Sequence, residues 1–140
     1  MGVPYDGLTV GDLLFRAFRH HGDKVAFDGY GGRYTYRAAL DLIGRYQAVY
    51  KHLGIRRGQH IAMLNANRAD AWLAGVAATA MGLCTMPMHP LGSLDDHLFM
   101  LADGGIDHLL VDVDAYADHG RALAGRAPDL GRIFTLGPSD

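Results

Sequence analysis

Residues 80–90, "AMGLCTMPMHP", gather the only cysteine of the chain, Cys84, with Met81, Met86, Met88 and His89. Thiolate, thioether and imidazole are the ligands that soft metal ions prefer, so metal binding is the first chemistry to test. Along a strand, Cys84, Met86 and Met88 project to one face and Thr85, Pro87 and His89 to the other, which turns His89 away from the sulfurs. Free cysteine and methionine are also common core fillers. The stretch is therefore expected to be a central buried strand whose sulfurs pack, and no metal ligand is assigned. An approach of Cys84 to His89 at metal–ligand distance would reverse this.

The other candidates are weaker. "DGYGGR" (residues 28–33) is glycine-rich, but phosphate-binding loops join a strand to a helix N-terminus, and this stretch reads as a turn between two short strands. His20 and His21 fall at a helix C-terminus, where positive charge is favourable without any ligand. His119, beside Asp118, is expected on the solvated side of a short surface helix. Cys84 with a histidine base would make a nucleophile only in an activating microenvironment, of which the sequence gives no sign.

The elements that would position such groups follow from the patterning. The chain has 140 residues, about half apolar and a fifth charged, which suits a single domain, 1–140, with a real core. A net charge of −2 provides no basic field for nucleic acid. One cysteine excludes an internal disulfide and leans toward a reducing compartment. No apolar run is long enough for a transmembrane helix. "MGVPYDGLTV" lacks the features of a signal peptide, and Asp6 breaks the myristoylation pattern that Gly2 would open. A cytoplasmic protein is expected. The excess of arginine over lysine, with much alanine and glycine, hints at a GC-rich bacterial genome.

Thr9 is placed to cap a helix over "VGDLLFRAFRHHG", with Leu13, Leu14, Ala17 and Phe18 on one face and Gly22 as its stop. "KVAFDGYGGRYTY" reads as a hairpin. Leu42, Tyr46, Val49, Tyr50 and Leu53 recur at helical spacing in the next segment, which Gly54 ends. "GQHIAMLNAN" reads as a strand. "RADAWLAGVAATAMG" reads as a helix so rich in alanine that another backbone can lie close against it. "LCTMPMHP" is the next strand, and Ser93 caps a helix with Asp95 and Asp96 in its first turn. "IDHLLVDVD" is a strand apolar enough at Leu109, Leu110 and Val111 to be buried on both faces. "AYADHGRALAGRA" and "RIFTLG" supply a last helix and strand. The alternation predicts an α/β fold: a mostly parallel sheet flanked by helices on both faces, preceded by a helix and a short hairpin.

Taken in order, these segments resemble the opening of the adenylate-forming superfamily, in particular the acyl-CoA synthetases (fatty-acid–CoA ligases). The resemblance rests on Asp23, Lys24 and Ala26 entering the hairpin, then Tyr34, Thr35 and Tyr36 leading into a long helix. Leu53, Gly54 and Gly58 follow it. Asn67 ends a strand, with Asp70 at a usually acidic position. Gly82, Pro87 and Pro90 match a "G-x-x-x-x-P-L-x-P" pattern, with Met88 at the leucine. Ser93, Asp95 and Asp96 echo a helix start, and Leu109, Leu110, Val111 and Asp112 a "V-L-V-V-D" strand. Ala38 and His89 depart from the pattern at positions that carry no chemistry.

The resemblance implies the first part of the large N-terminal domain of such a ligase. Its parent enzyme would activate a carboxylic or fatty acid with ATP and pass the acyl group to CoA. ATP, Mg2+ and CoA are implied for the parent and none for this segment. The phosphate-gripping loop, the magnesium-binding glutamate and the catalytic lysine of the family have no match here, and Lys24 and Lys51 sit in no such context. Catalytic, cofactor-binding and metal residues are accordingly expected to be none. Thr35, Tyr36, Asn67, Gly82, Pro87 and Pro90 are expected to be structural. The remainder of the parent enzyme is the implied partner, and apolar surfaces left open should drive the segment to dimerise with itself. The alternative reading is a stand-alone, non-catalytic α/β module that binds a partner or small ligand. A third, a soft-metal binder built on Cys84, also stays open.

Overall fold

The structure, a computed structural model, describes residues 7–137; Gly2 and Asp6 lie outside the described residues. In chain order the elements are α1 (Val10–His21), β1 (Val25–Gly29), β2 (Gly32–Thr35), α2 (Tyr36–His52), β3 (His60–Leu64), α3 (Ala69–Ala80), β4 (Cys84–Pro87), α4 (Leu94–Asp103), β5 (His108–Asp112), α5 (Val113–Arg126) and β6 (Arg132–Leu136). Strands β1 and β2 form an antiparallel hairpin, and the other four form a parallel sheet in the order β4-β3-β5-β6.

Helix starts obey capping chemistry. Thr9 and Ser93 each close a reciprocal capping box with the aspartate three residues on, Asp12 and Asp96. The Thr35 hydroxyl accepts from the Ala38 amide at 3.1 Å. Gly82 follows α3 at φ +79°, where a side chain would be strained.

Alternation along the strands divides the core. Ile61, Met63, Leu110 and Leu136 face a layer of α1, α2 and α3, whereas Ala62, Leu64, Leu109 and Val111 face α4 and α5. The sheet is thus covered on both faces, and every residue of β5 is buried. Alanine makes the first interface close: Ala71, Ala74, Ala77 and Ala78 of α3 are fully buried. There the Tyr50 hydroxyl of α2 donates to the Ala74 carbonyl at 3.0 Å. Burial holds the Tyr50 phenol above its ordinary pKa, so it stays a donor.

Four expectations need correction. Strand β4 lies at a sheet edge and not at its centre, because β5 inserts on the far side of β3; Cys84 is consequently exposed, Met86 half-buried and Met88 buried. Leu13 is exposed, since the inner stripe of α1 runs through Gly11, Leu14, Phe15 and Phe18. Val49 is exposed as well; the inner stripe of α2 is Ala39, Ile43 and Tyr50. Strand β5 stops at Asp112, whose side chain caps α5 by accepting from the Asp114 amide, so that helix begins earlier and runs longer than its sequence suggests.

Candidate functional site

The chain runs from β3 through α3 to β4 on one side, whereas β5 joins the other side of β3. The crevice beyond the carboxyl ends of β3 and β5 is therefore the switch point at which open α/β sheets bind ligands. Here it is filled by the protein's own ions. The guanidinium of Arg68, in the turn after β3 and only 10% exposed, grips Asp70 with two bonds of 2.7 and 2.8 Å. It also donates through Nη1 to Asp112 Oδ1 at 2.9 Å and to Asp114 Oδ2 at 2.8 Å. Asp112, fully buried at the end of β5, further accepts from the Ala66 and Asp114 amides at 3.2 Å each. Bonding to Asp70 first, and then to Asp114, drives the Arg68 pKa upward, so the cation is permanent.

The hairpin closes over this cluster. Gly31, at φ +91°, lies so close to the start of α3 that a Cβ there would come within 2.8 Å of both the Arg68 Cβ and Asp70 Oδ1. The Tyr30 carbonyl accepts from the Ala69 amide at 3.3 Å, and the Arg68 guanidinium carbon stands 5.5 Å from the centre of the Tyr30 ring. "DGYGGR" is thus a turn that docks on a helix N-terminus, with its backbone already committed.

Two of the recesses that border the cluster share Asn67, Arg68 and Trp72. One, of about 390 Å³, runs between α1, α3 and the free side of β4 and is lined by Leu14, Met63, Val76 and Pro87 among others. The second, of about 360 Å³, opens toward Phe27 and Tyr30 of the hairpin. Trp72, half exposed, packs on Phe27 with ring centres 5.3 Å apart.

Of the six motif residues, the structure brings only Asn67 and Pro87 to one recess. Thr35 caps α2, and Tyr36 packs edge-on against Phe18 at 5.4 Å. Gly82 turns the chain at the opposite end of the sheet, and Pro90 sits in the loop after β4. Around the sulfur-rich stretch, the His89 carbonyl accepts from His97 Nε2 at 2.9 Å, while His89 Nδ1 accepts from the Leu91 amide at 3.2 Å. Among the described residues, no three histidine, cysteine or acidic side chains converge as a metal site.

Sequence reasoning missed the hub, Arg68, and a histidine pair. His97 is buried, with Nδ1 2.8 Å from Nε2 of His119. A carbonyl only accepts, so a neutral His97 carries its proton on Nε2, and His119 donates across the pair. His119 is therefore half-buried and bonded rather than solvated, and burial lowers its pKa. His108 is a different case: it is 5% exposed, and neither ring nitrogen has a partner among the described residues. The one available sequence signal was "VDVD", in which a buried strand ends in an aspartate placed to cap the next helix.

Chemically, the cluster is a clamp. Its carboxylates are engaged by a guanidinium that cannot lose its proton, and it presents neither a nucleophile nor a base in a reactive arrangement.

The doubly wound sheet, with its leading helix and hairpin, is shared with solved adenylate-forming enzymes. A crystallised anthranilate CoA ligase, AuaEII, superposes with a TM-score of 0.84 at 19% identity, over 93% of this chain and 25% of that one. The luciferase-like enzyme of the mealworm Zophobas morio gives a TM-score of 0.83 at 16% identity, over 99% of this chain and 33% of its own. The sequence profile described as "AMP-binding enzyme" matches residues 14–136, and the chain belongs to that family. A medium/long-chain-fatty-acid–CoA ligase, FadD8 of Mycobacterium tuberculosis, is 34% identical over 130 residues, covering 91% of this chain. The chain spans 23% of that enzyme's length. No helix among the described residues is long and apolar enough to cross a membrane.

Proposed function

We propose that the chain forms the opening part of the large domain of a bacterial, cytoplasmic acyl-CoA synthetase. The parent enzyme would join a fatty or similar carboxylic acid to ATP, giving acyl-adenylate and pyrophosphate. It would then transfer the acyl group to the thiol of CoA and release AMP. The observation that carries the reading is the 34% identity to a fatty-acid–CoA ligase, which extends along nearly the whole chain.

Within the parent, this part acts as scaffold. Its residues do not fit ATP, magnesium or CoA: the glycine-rich turn at residues 28–33 is closed against α3, and the carboxylates of Asp70 and Asp112 are held by Arg68. The chain contains no glutamate, all 15 acidic residues being aspartates, so the family's magnesium-binding glutamate has no counterpart. The partner is accordingly the remainder of the enzyme. The contribution of this part is a rigid sheet whose switch point is locked by an ion cluster and whose recess at Trp72 receives neighbouring structure.

ATP–pyrophosphate exchange with fatty acids of graded length tests the inactivity of the 140-residue chain. Background exchange is expected, and turnover above it would overturn the scaffold assignment. The reading frame tests the parentage: continuation past Asp140 into a Thr/Ser/Gly-rich loop supports it, and a stop codon there favours a stand-alone module.

A further inference from the structure

Helices α4 and α5 meet through a pair of imidazoles that the clamp at Arg68 does not use. His97 of α4 is 1% exposed, and the turn after β4 crosses directly over its ring. A Cβ on Gly92 would collide with His97 Nε2 and stand 2.9 Å from Cδ2. In that turn the His89 carbonyl accepts twice, from the Gly92 amide at 3.0 Å and from His97 Nε2 at 2.9 Å. With its only proton on Nε2, His97 offers Nδ1 as the acceptor for His119 Nε2 of α5. One ring thus ties the turn to α4, and α4 to α5.

The arrangement has room for a single added proton. His119 Nδ1 has no partner among the described residues; a proton there leaves Nε2 donating, and the bond to His97 becomes charge-assisted. A second proton must enter at His97 Nδ1, where it meets the Nε2–H of His119. Two donors then face each other, and a buried imidazolium lies against another cation. Among the described residues no carboxylate bonds either ring to offset this. On α4, Asp96 attracts His97 but is exposed and bonded to Ser93, and Asp95 pairs with Arg126 of α5 at 3.1 Å. On α5, Asp118 pairs with Arg121, Asp114 is held by Arg68, and Tyr116 packs into the core. The turn brings His89, whose Nδ1 accepts from the Leu91 amide. The sheet face below presents Ala62, Leu64, Leu109 and Val111, and Asp112 beside it is bonded to Arg68.

We propose that His97 and His119 form an acid-sensitive latch, closed while the pair holds at most one proton and opened by the second. Hydration of the doubly charged pair requires His97 to leave its pocket, which parts α4 from α5 there and frees the turn at residues 89–92. That turn follows β4, at the same end of the sheet as the Arg68 cluster. Burial first, and then the neighbouring His97 ring, hold the His119 pKa below its ordinary 6.5, and the second proton of a coupled pair follows at lower pH. The unfolded chain takes up both protons more readily, so the stability supplied by the latch is complete above about pH 6.5 and is lost as the pH falls. The latch is independent of the ligase reading of the parent.

Long-range proton–nitrogen correlation spectra of the 140-residue chain, from about pH 8 to about pH 5, follow both rings. His97 should carry its proton on Nε2 at the alkaline end, and His119 should gain a proton before His97 does. At the second step the Gly92 amide should lose protection from exchange by at least about tenfold, the scale of one unmade buried hydrogen bond, while amides of the β3–β5 ladder keep theirs. His119→Gln supplies an amide of similar reach that does not titrate; it donates to the neutral ring and, flipped, accepts from the charged one. Gly92 protection should then persist to the acid end. A proton on His97 Nδ1 at neutral pH, His97 titrating ahead of His119, or Gly92 protection undiminished in the wild type at the acid end overturns the latch. So do equal acid losses in wild type and His119→Gln. Should that variant fail to fold, the order of titration in the wild type decides.

Discussion

His108 is a buried imidazole without a partner among the described residues, and its replacement by leucine should stabilise the protein. Leucine has nearly the same volume, so the change removes an unsatisfied polar group without opening a cavity. Such a group costs about 1–3 kcal/mol, and that is the expected gain in unfolding free energy at neutral pH. The sign of the pH dependence follows from the same burial. Desolvation is the main cause holding the His108 pKa below its ordinary 6.5, so the unfolded chain binds this proton more readily than the folded one. Stability contributed by the neutral ring is complete above about pH 6.5 and declines as the pH falls below it, until the folded pKa is reached. Between pH 7.5 and 5.5 the loss can reach at most about 1.4 kcal/mol, the limit for one proton that only the unfolded chain binds. Urea unfolding followed by circular dichroism at both pH values, on wild type and His108→Leu, reads the difference directly. The other titrating groups are common to both proteins and cancel. Equal pH slopes for the two, or a less stable His108→Leu at pH 7.5, would refute the reasoning.

Two further outcomes test the switch-point clamp. Arg68→Met leaves Asp112 buried without its cation beside two other carboxylates, and should cost about 3–5 kcal/mol by urea unfolding; adding Asp112→Asn should recover part of the loss, and a cost below about 1 kcal/mol would count against the clamp. Gly31→Ala combines an unfavourable φ with the 2.8 Å clash against Arg68 and Asp70, and should cost about 2 kcal/mol or more, whereas Gly29→Ala, with open space around it, should cost less than half as much by the same assay.

The sequence determined by itself the element order, the caps Thr9 and Ser93 and the parallel class of the sheet. These depend on neighbours within a few residues: Thr9 with Asp12, Ser93 with Asp96, and the alternation of apolar residues along β3 and β5. Even the family was legible, through the resemblance of its motifs, in order, to those of the adenylate-forming enzymes. Tertiary structure decided what depends on lateral order. That β4 became an edge, leaving Cys84 exposed, follows from β5 inserting beyond β3, and strand order leaves no mark in the local pattern of a single strand. Nothing in the sequence singled out Arg68 until the fold brought Asp112 and Asp114, more than forty positions away, to its guanidinium. The same holds for His97 and His119 on different helices. Short-range chemistry is written in spacing, whereas the meeting of distant charges is decided only when the sheet closes its order.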